Sequence, residues 1–286
     1  MFEIADKKHL NQAVTQMDIQ APLVAAKAKA GQFIILRVDA DGERIPLTIA
    51  GFDRQRGTVR ILFQKVGATT QKLDRKKIGD SLADFAGPLG NPTELDGLKR
   101  VCVVGGGVGC AIALPVARAL KENGCEVTSV IGFRTKDLVI LEKEFSDVSD
   151  RLFAVTDDGT YGEAGNVCVP LQRVLEGGES FDRIFAIGPL VMMKFVAATS
   201  RRFQIPCTVS MNPIMIDGTG MCGCCRLSLI RPDGQREMHF ACTDGPDFDG
   251  WQVDFDEAIS RLKMYRDFEN AAREEDCRLM RKEVEA

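Results

Sequence analysis

Three cysteines crowd into four residues of this chain, in the run MCGCC at 221–225. With an aspartate before them and a cysteine after, they form Asp217-x4-Cys222-x2-Cys225…Cys242. That is the plant-type ferredoxin spacing C-x4-C-x2-C…C, with Asp where the first Cys belongs. Thiolates and a carboxylate so spaced would hold a 2Fe-2S cluster, a one-electron carrier. Gly218, Gly220 and Gly223 let the backbone wrap closely and turn its N–H groups towards sulfide. Zinc competes, because C-x-x-C plus two further ligands suits a tetrahedral ion. Zinc loops come as two separated pairs, however, whereas here three ligands share one loop. Cys224 lies between two proposed ligands and is expected to point away; it could also take the place of Asp217.

A second constellation could hold phosphate. In VVGGGVGCAI (103–112) an apolar strand runs into glycines and then a helix start, which presents backbone N–H groups and a positive dipole end. The spacing departs from the strict G-x-G-x-x-G fingerprint, and a tight strand-to-helix turn would need small residues too. Three further junctions should converge on the same crevice, because ligands bind outside the carboxyl ends of parallel strands. These are GFRTKD with Arg134, TDDGTYG with Asp157, and AIGP with Gly188 and Pro189. Arg134 could reach a phosphate or ribose, or be an ordinary surface arginine. A third set, RIPLTIA (44–50) with LFQKVGATT (62–70), places hydroxyls, an arginine and Gly67 at strand ends, where a flavin and its pyrophosphate could sit. Two ordinary strands with polar ends would look the same.

The elements that must position these residues follow from the patterning. GQFIILRV, RIPLTIAGF and GTVRILFQKV are rich in β-branched and large apolar residues and are broken by DADG and DRQRG turns. IGDSLADFAGPLGNP, punctuated by Gly and Pro, reads as a barrel exit and linker. Residues 1–97 are therefore expected to form a small antiparallel barrel. From RVCVVGGG onward, strands alternate with helices (CAIALPVARALKENG, KDLVILEKEF, VPLQRVLEGG, VMMKFVAATSRRF), the mark of a doubly wound parallel sheet over 98–211. Residues 212–250 carry the cysteine loop, with an RPDGQR hairpin turn that would bring Cys242 back towards Cys222 and Cys225. Residues 251–286, free of Gly and Pro from 254, read as one long charged helix. Its FDEAISRLKMYRDFENAA stretch has apolar residues at helical spacing, for docking on a partner or on its own domain.

Composition excludes several classes. With 37 Lys+Arg against 41 Asp+Glu and a formal charge of −4, the chain is not a non-specific nucleic-acid binder. No apolar run approaches the roughly 20 residues of a membrane helix, and MFEIADKKHL lacks a secretory core. A soluble, cytoplasmic protein is expected, with no nucleic-acid or membrane partner. Ten cysteines then cannot be a disulfide framework; Cys102, Cys110, Cys125, Cys168, Cys207 and Cys277 read as packing or incidental residues. His9 and His239 are the only histidines, and no acid–base triad is evident, so no catalytic residue is assigned beyond the flavin itself.

Barrel, nucleotide domain and cysteine loop in that order resemble the ferredoxin–NADP reductase superfamily. More narrowly, RIPLTIA, QKVGATT, AGPLGNP, VVGGGVG, TDDGTYG, IGP, the Asp/Cys loop and CTDGPDFDG make the chain similar to electron-transfer subunits that end in a 2Fe-2S loop. These are the subunits of dihydroorotate dehydrogenase, the sulfide dehydrogenase beta-type proteins and the alpha subunits of NADH-dependent reduced ferredoxin:NADP oxidoreductases. Asp in the first ligand position is the feature of the last group. The resemblance implies FAD on Arg44, Pro46, Leu47, Thr48, Leu62, Phe63, Gln64, Gly67, Thr69 and Thr70. It implies NAD(H) on Gly105, Gly106, Gly107, Gly109, Arg134, Asp157, Gly188 and Pro189, and a 2Fe-2S cluster on Asp217, Cys222, Cys225 and Cys242. Arg44 stands one residue further from Thr48 than is usual, and Ile187 replaces a cysteine found beside the nicotinamide. The implied partner is a larger flavoprotein related to the small subunit of glutamate synthase, with 4Fe-4S clusters, and through it ferredoxin and NADP. The implied reaction is hydride exchange between NAD(H) and FAD and single-electron relay through the cluster, as in flavin-based electron bifurcation. The alternatives are an electron-transfer subunit of a dihydroorotate or sulfide dehydrogenase, and a zinc-stabilised nucleotide-binding regulator with no catalysis.

Overall fold

A computed structural model of the chain describes residues 2–264 together with 267, 268, 270 and 271. The first unit contains β1 (Phe2–His9), β2 (Val14–Gln20), α1 (Pro22–Lys27), β3 (Phe33–Arg37), β4 (Arg44–Asp53), β5 (Thr58–Gln64), α2 (Ala68–Arg75), β6 (Ser81–Leu82) and β7 (Asp84–Leu89). Its strands form one antiparallel sheet in the order β6-β1-β2-β5-β4-β3-β7, curled into a nearly closed barrel. Alternation drives the curl: Ile19, Ile34, Leu36, Ile49, Ile61 and Phe63 point inward and are essentially inaccessible. Part of the segment expected to be a linker is therefore barrel wall, since β6 and β7 lie within it and β7 pairs with β3. Pro88 is tolerated because β7 is an edge strand of this sheet.

The second unit continues with β8 (Arg100–Gly106), α3 (Cys110–Glu122), β9 (Glu126–Phe133), α4 (Glu142–Val148), β10 (Arg151–Thr156), β11 (Glu163–Ala164), α5 (Cys168–Glu176), β12 (Arg183–Ile187), α6 (Leu190–Arg202) and β13 (Cys207–Ser210). Strands β11-β10-β9-β8-β12-β13 are parallel. The stretch KDLVILEKEF is only partly helical: 136–138 make a single 3-10 turn, and α4 begins after Leu141, which has φ 60°. Cys102, Cys110, Cys125 and Cys207 are buried as apolar residues, and Cys168 is half-buried; Cys277 lies outside the described residues.

The chain then leaves the sheet for the cysteine loop and a ribbon of β14 (Arg226–Ile230) and β15 (Arg236–Phe240), paired antiparallel around the RPDGQR turn. It returns as β16 (Asp247–Asp249), antiparallel on the edge strand β13. Last comes α7 (Phe255–Lys263), capped by Asp254, whose carboxylate accepts from the Glu257 N–H at 3.0 Å. Helix α7 packs on α6 and β14; most of the longer helix expected beyond it falls outside the described residues. No described helix is long and apolar enough to cross a membrane.

Candidate functional site

The expected flavin strand is the open part of β4. Residues 45–48 are only half-buried and Arg44 is exposed, whereas Ile49 and Ala50, further along, are buried. Beside it, Leu62 of β5 is buried facing Ala50 and the α3 residue Ala111, outside the barrel core. Phe63 points the other way into the barrel and is 1 % exposed, so its side chain is barrel core and only its backbone borders the open face. Gln64 is exposed at the strand end. Helix α2 starts one turn later with Gly67 at its N-cap. Thr70 Oγ1 accepts from the N–H groups of Val66 (3.1 Å) and Gly67 (3.0 Å). No acidic residue stands in the first turn, leaving the other first-turn N–H groups free for an anion. The Thr69 hydroxyl donates to Glu43 (2.9 Å), and the Arg44 guanidinium lies 3.9 Å from Asp84.

The glycine turn and the Gly188–Pro189 turn are built into each other. A Cβ on Gly109 would stand 2.6 Å from both Gly188 Cα and Ile187 O, and one on Gly106 would meet Met192 and Pro189. Gly107 has φ +54° with nothing within 4 Å, so it borders open space. The next two junctions are zipped by backbone bonds: Asp157 N–H donates to Phe133 O (3.0 Å), and Asp158 N–H to Arg134 O (3.2 Å). Arg134 and Asp157 are exposed. The four predicted junctions thus meet in two adjoining pairs at the carboxyl edge of the parallel sheet, and Gly105, the last residue but one of β8, packs on the same helix start, where a Cβ would be 2.9 Å from Cys110 Sγ.

In the cysteine loop, Cys225 Sγ lies 3.2 Å from Cys242 Sγ, both buried. Burial first, then the Cys225 thiol, pushes the Cys242 thiol up to about 12. Cys222 is exposed, and the backbone N–H of Cys224 draws its thiol below the usual range. Asp217 turns its carboxylate on its own loop. It accepts from the Thr219 hydroxyl and from the N–H groups of Thr219 (3.2 Å), Met221 (3.1 Å) and Cys222 (3.4 Å), which hold its pKa down. Among the described residues, no three His, Cys, Asp or Glu side chains converge on one ion. Two thiolates sharing a tetrahedral ion at about 2.3 Å stand about 3.8 Å apart, so the Cys225–Cys242 pair needs only a small opening. Three thiols and one carboxylate brought into one loop and ribbon are a donor set that fits a 2Fe-2S cluster. The Cys224 thiol leans on Cys222 O (3.9 Å).

What sequence reasoning missed is how close the first and third sets lie. Pro46 and Leu47 of the flavin strand pair with Ile35 and Ile34 of β3. On the other side, Gly218 (φ +76°) sits so tightly that a Cβ there would be 2.9 Å from Leu89 and 3.0 Å from Ile35. One strand therefore separates the open stretch of β4 from the cysteine loop. Only tertiary pairing reveals this.

Residues 212–254 match the family model "Iron-sulfur cluster binding domain of dihydroorotate dehydrogenase B". A Thermotoga maritima protein named as a homolog of the electron transfer subunit of dihydroorotate dehydrogenase B (NAD(+)) is 45% identical over 272 residues, 95% of this chain and 94% of that protein. The electron transfer subunit of that enzyme from Streptococcus pneumoniae is 32% identical over 252 residues, covering 86% of this chain and 95% of its own length. Among solved structures, one described as giving insights into flavin-based electron bifurcation via the NADH-dependent reduced ferredoxin-NADP oxidoreductase structure superposes with a TM-score of 0.88. It is 42% identical and covers 96% of this chain and 97% of its own. An Amycolatopsis cytochrome P450 reductase, 20% identical with a TM-score of 0.58 over 71% of this chain and 66% of its own, shares the fold.

Proposed function

The chain belongs to the family of dihydroorotate dehydrogenase B electron-transfer subunits and their homologues, and on that premise we propose that it exchanges a hydride between NAD(H) and FAD and relays single electrons through a 2Fe-2S cluster to a partner iron–sulfur flavoprotein. Bound FAD supplies the exchange between two-electron and one-electron transfer, and the cluster supplies the one-electron outlet. The protein's part is positioning. Thr48, Pro46 and Leu47 line the flavin face of β4, and the α2 start with Gly67, Thr69 and Thr70 takes the pyrophosphate. Gly105–Gly109, Gly188 and Pro189 admit the nicotinamide nucleotide, with Arg134 and Asp157 towards its adenosine end. Asp217, Cys222, Cys225 and Cys242 hold the metal. The carrying observation is the single strand, β3, between the flavin strand and the cluster loop.

The partner reading follows the bifurcating relative: a larger subunit with its own flavin and 4Fe-4S clusters, coupling NADH, ferredoxin and NADP. The dihydroorotate-type relatives favour a second reading, a dihydroorotate-oxidising partner. Asp217 in the first ligand position supports the first. Purified protein should be yellow-brown and contain flavin, iron and sulfide. Cys225→Ser should lose the 2Fe-2S EPR signal and keep its FAD. A normal signal in that variant refutes the ligand set, and a colourless, zinc-loaded protein refutes the whole reading.

A further inference from the structure

Besides apolar packing, in which Phe33 and Ile35 share one buried cluster with Met215, Cys225 and Cys242, the barrel is tied to the cluster unit by a short set of directed bonds among the described residues. The barrel's exit, residues 90–93, runs beside residues 243–247, which follow directly on Cys242. Asn91 donates from its backbone to Gly245 O (2.7 Å) and from its side chain to Thr243 O (2.9 Å). Thr93, 7 % exposed, donates its hydroxyl to Asp247 Oδ2 at 2.6 Å. The barrel holds the near side of this strap: Thr93 N–H donates to Ala30 O (3.0 Å), and Gln32 Nε2 donates to Gly90 O (2.8 Å). The nucleotide sheet holds the far side, through Asp247 paired opposite Ser210 and Met211 N–H donating to Pro246 O (2.8 Å). Gly90 (φ +73°) allows the approach, since a Cβ there would be 2.7 Å from Phe33 and 2.9 Å from Pro246. Phe33 in turn pairs with Thr48 of the flavin strand. An unbroken line of bonds and contacts thus runs from Thr48 to the segment that carries Cys242.

We infer that Asn91, Thr93 and Asp247 are positioning residues that set the spacing between the flavin site and the cluster site, and so the rate of electron passage between them. None of the three belongs to either site. The inference rests on the function proposed above, because it concerns a step between the two cofactors. Bonds aimed across the junction fix register as well as distance, whereas the apolar packing of Phe33 and Ile35 on the cluster unit is non-directional. A misplacement of about 1 Å can cost about 100-fold in a bond-making reaction; electron transfer falls off more gently with distance, so a loss of about tenfold is expected.

The test uses the full-length, cofactor-loaded protein as wild type, as the double variant Asn91→Ala/Thr93→Val, and as Asp247→Asn, whose amide oxygen still accepts the Thr93 hydroxyl. Amide hydrogen exchange at residue 91 and at Met211 reads the strap directly. Rapid mixing with NADH reads flavin reduction, and freeze-quench EPR reads cluster reduction. In the double variant exchange should quicken, flavin and iron contents and flavin reduction should stay at wild-type values, and cluster reduction should slow about tenfold. Asp247→Asn should keep the wild-type rate. Faster exchange with wild-type cluster reduction overturns the inference, as does unchanged exchange. Loss of cofactor without faster exchange also overturns it. A wild-type protein devoid of flavin and iron would instead sink the proposed function, a failure the exchange measurement tells apart.

Discussion

Replacing Gly109 by alanine tests the crevice through steric fit alone. Its φ of −59° suits any residue, so the added methyl brings no backbone strain. The cost is contact: the new Cβ would lie 2.6 Å from Gly188 Cα, 2.6 Å from Ile187 O and 2.9 Å from Gly188 N. Carbon atoms prefer about 3.5–4.0 Å, and these neighbours are backbone, which no rotamer change can move. The β8–α3 and β12–α6 turns must therefore part by about 1 Å, a typical overpacking cost of about 1–3 kcal/mol. At about 2–4 °C per kcal/mol for a domain of this size, Tm should fall by about 2–12 °C. On the nucleotide site proposed above, KM for NADH in flavin reduction should rise too. Gly97→Ala is the control, with φ +75° and nothing within 4 Å, remote from the crevice: it strains the backbone but leaves KM alone. The assay pairs thermal unfolding with flavin reduction at varied NADH. A Gly109→Ala protein with wild-type Tm and KM would show that the two turns do not need their contact, and the reasoning would fail.

Two further outcomes follow from bonds already described. Thr70→Val removes the acceptor for the N–H groups of Val66 and Gly67 and so loosens the α2 start that the proposed FAD site uses; at about 1 kcal/mol for a lost hydrogen bond, FAD affinity should fall about fivefold by fluorescence titration. Asp247→Asn should change the pH dependence of stability. Burial raises the Asp247 carboxyl above 3.8, with Thr93 and Ser210 opposing, so the folded chain holds a proton that the unfolded chain releases. That contribution is complete below 3.8 and is lost as pH rises through the raised folded value. The variant should gain Tm relative to wild type on going from pH 4 to pH 8, and parallel Tm curves would contradict the assignment.

Much of the architecture was legible in the chain. A parallel strand buried on both faces is a continuous apolar run, and VCVV ending in glycines announced β8 and the α3 start without ambiguity. The hairpin at 230–236 was equally plain from its turn residues. AGPLGNP misled because Gly and Pro signal a linker, yet an edge strand tolerates both. KDLVILEKEF misled because its apolar spacing fits a helix, whereas the backbone reverses at Leu141 before α4 begins. Spacing named the thiols that meet, Cys225 and Cys242, but could not show that Asp217 would be bonded within its own loop. Nor could it show Phe63 turning inward, which depends on strand register. The strap joins residues more than 150 positions apart and leaves no local trace.

The pairing of Ser210 with Asp247 has a consequence for how this chain can be modified. Everything between those residues leaves one strand and rejoins its immediate neighbour, so the whole excursion begins and ends about 5 Å apart. Segments whose ends nearly touch are the ones a domain gains or loses at least cost to its own framework. The cysteine loop and its ribbon are in that sense a cassette plugged into the rim of a nucleotide-binding sheet. A short turn joining 210 to 247 should leave a two-part flavin reductase with its one-electron outlet removed.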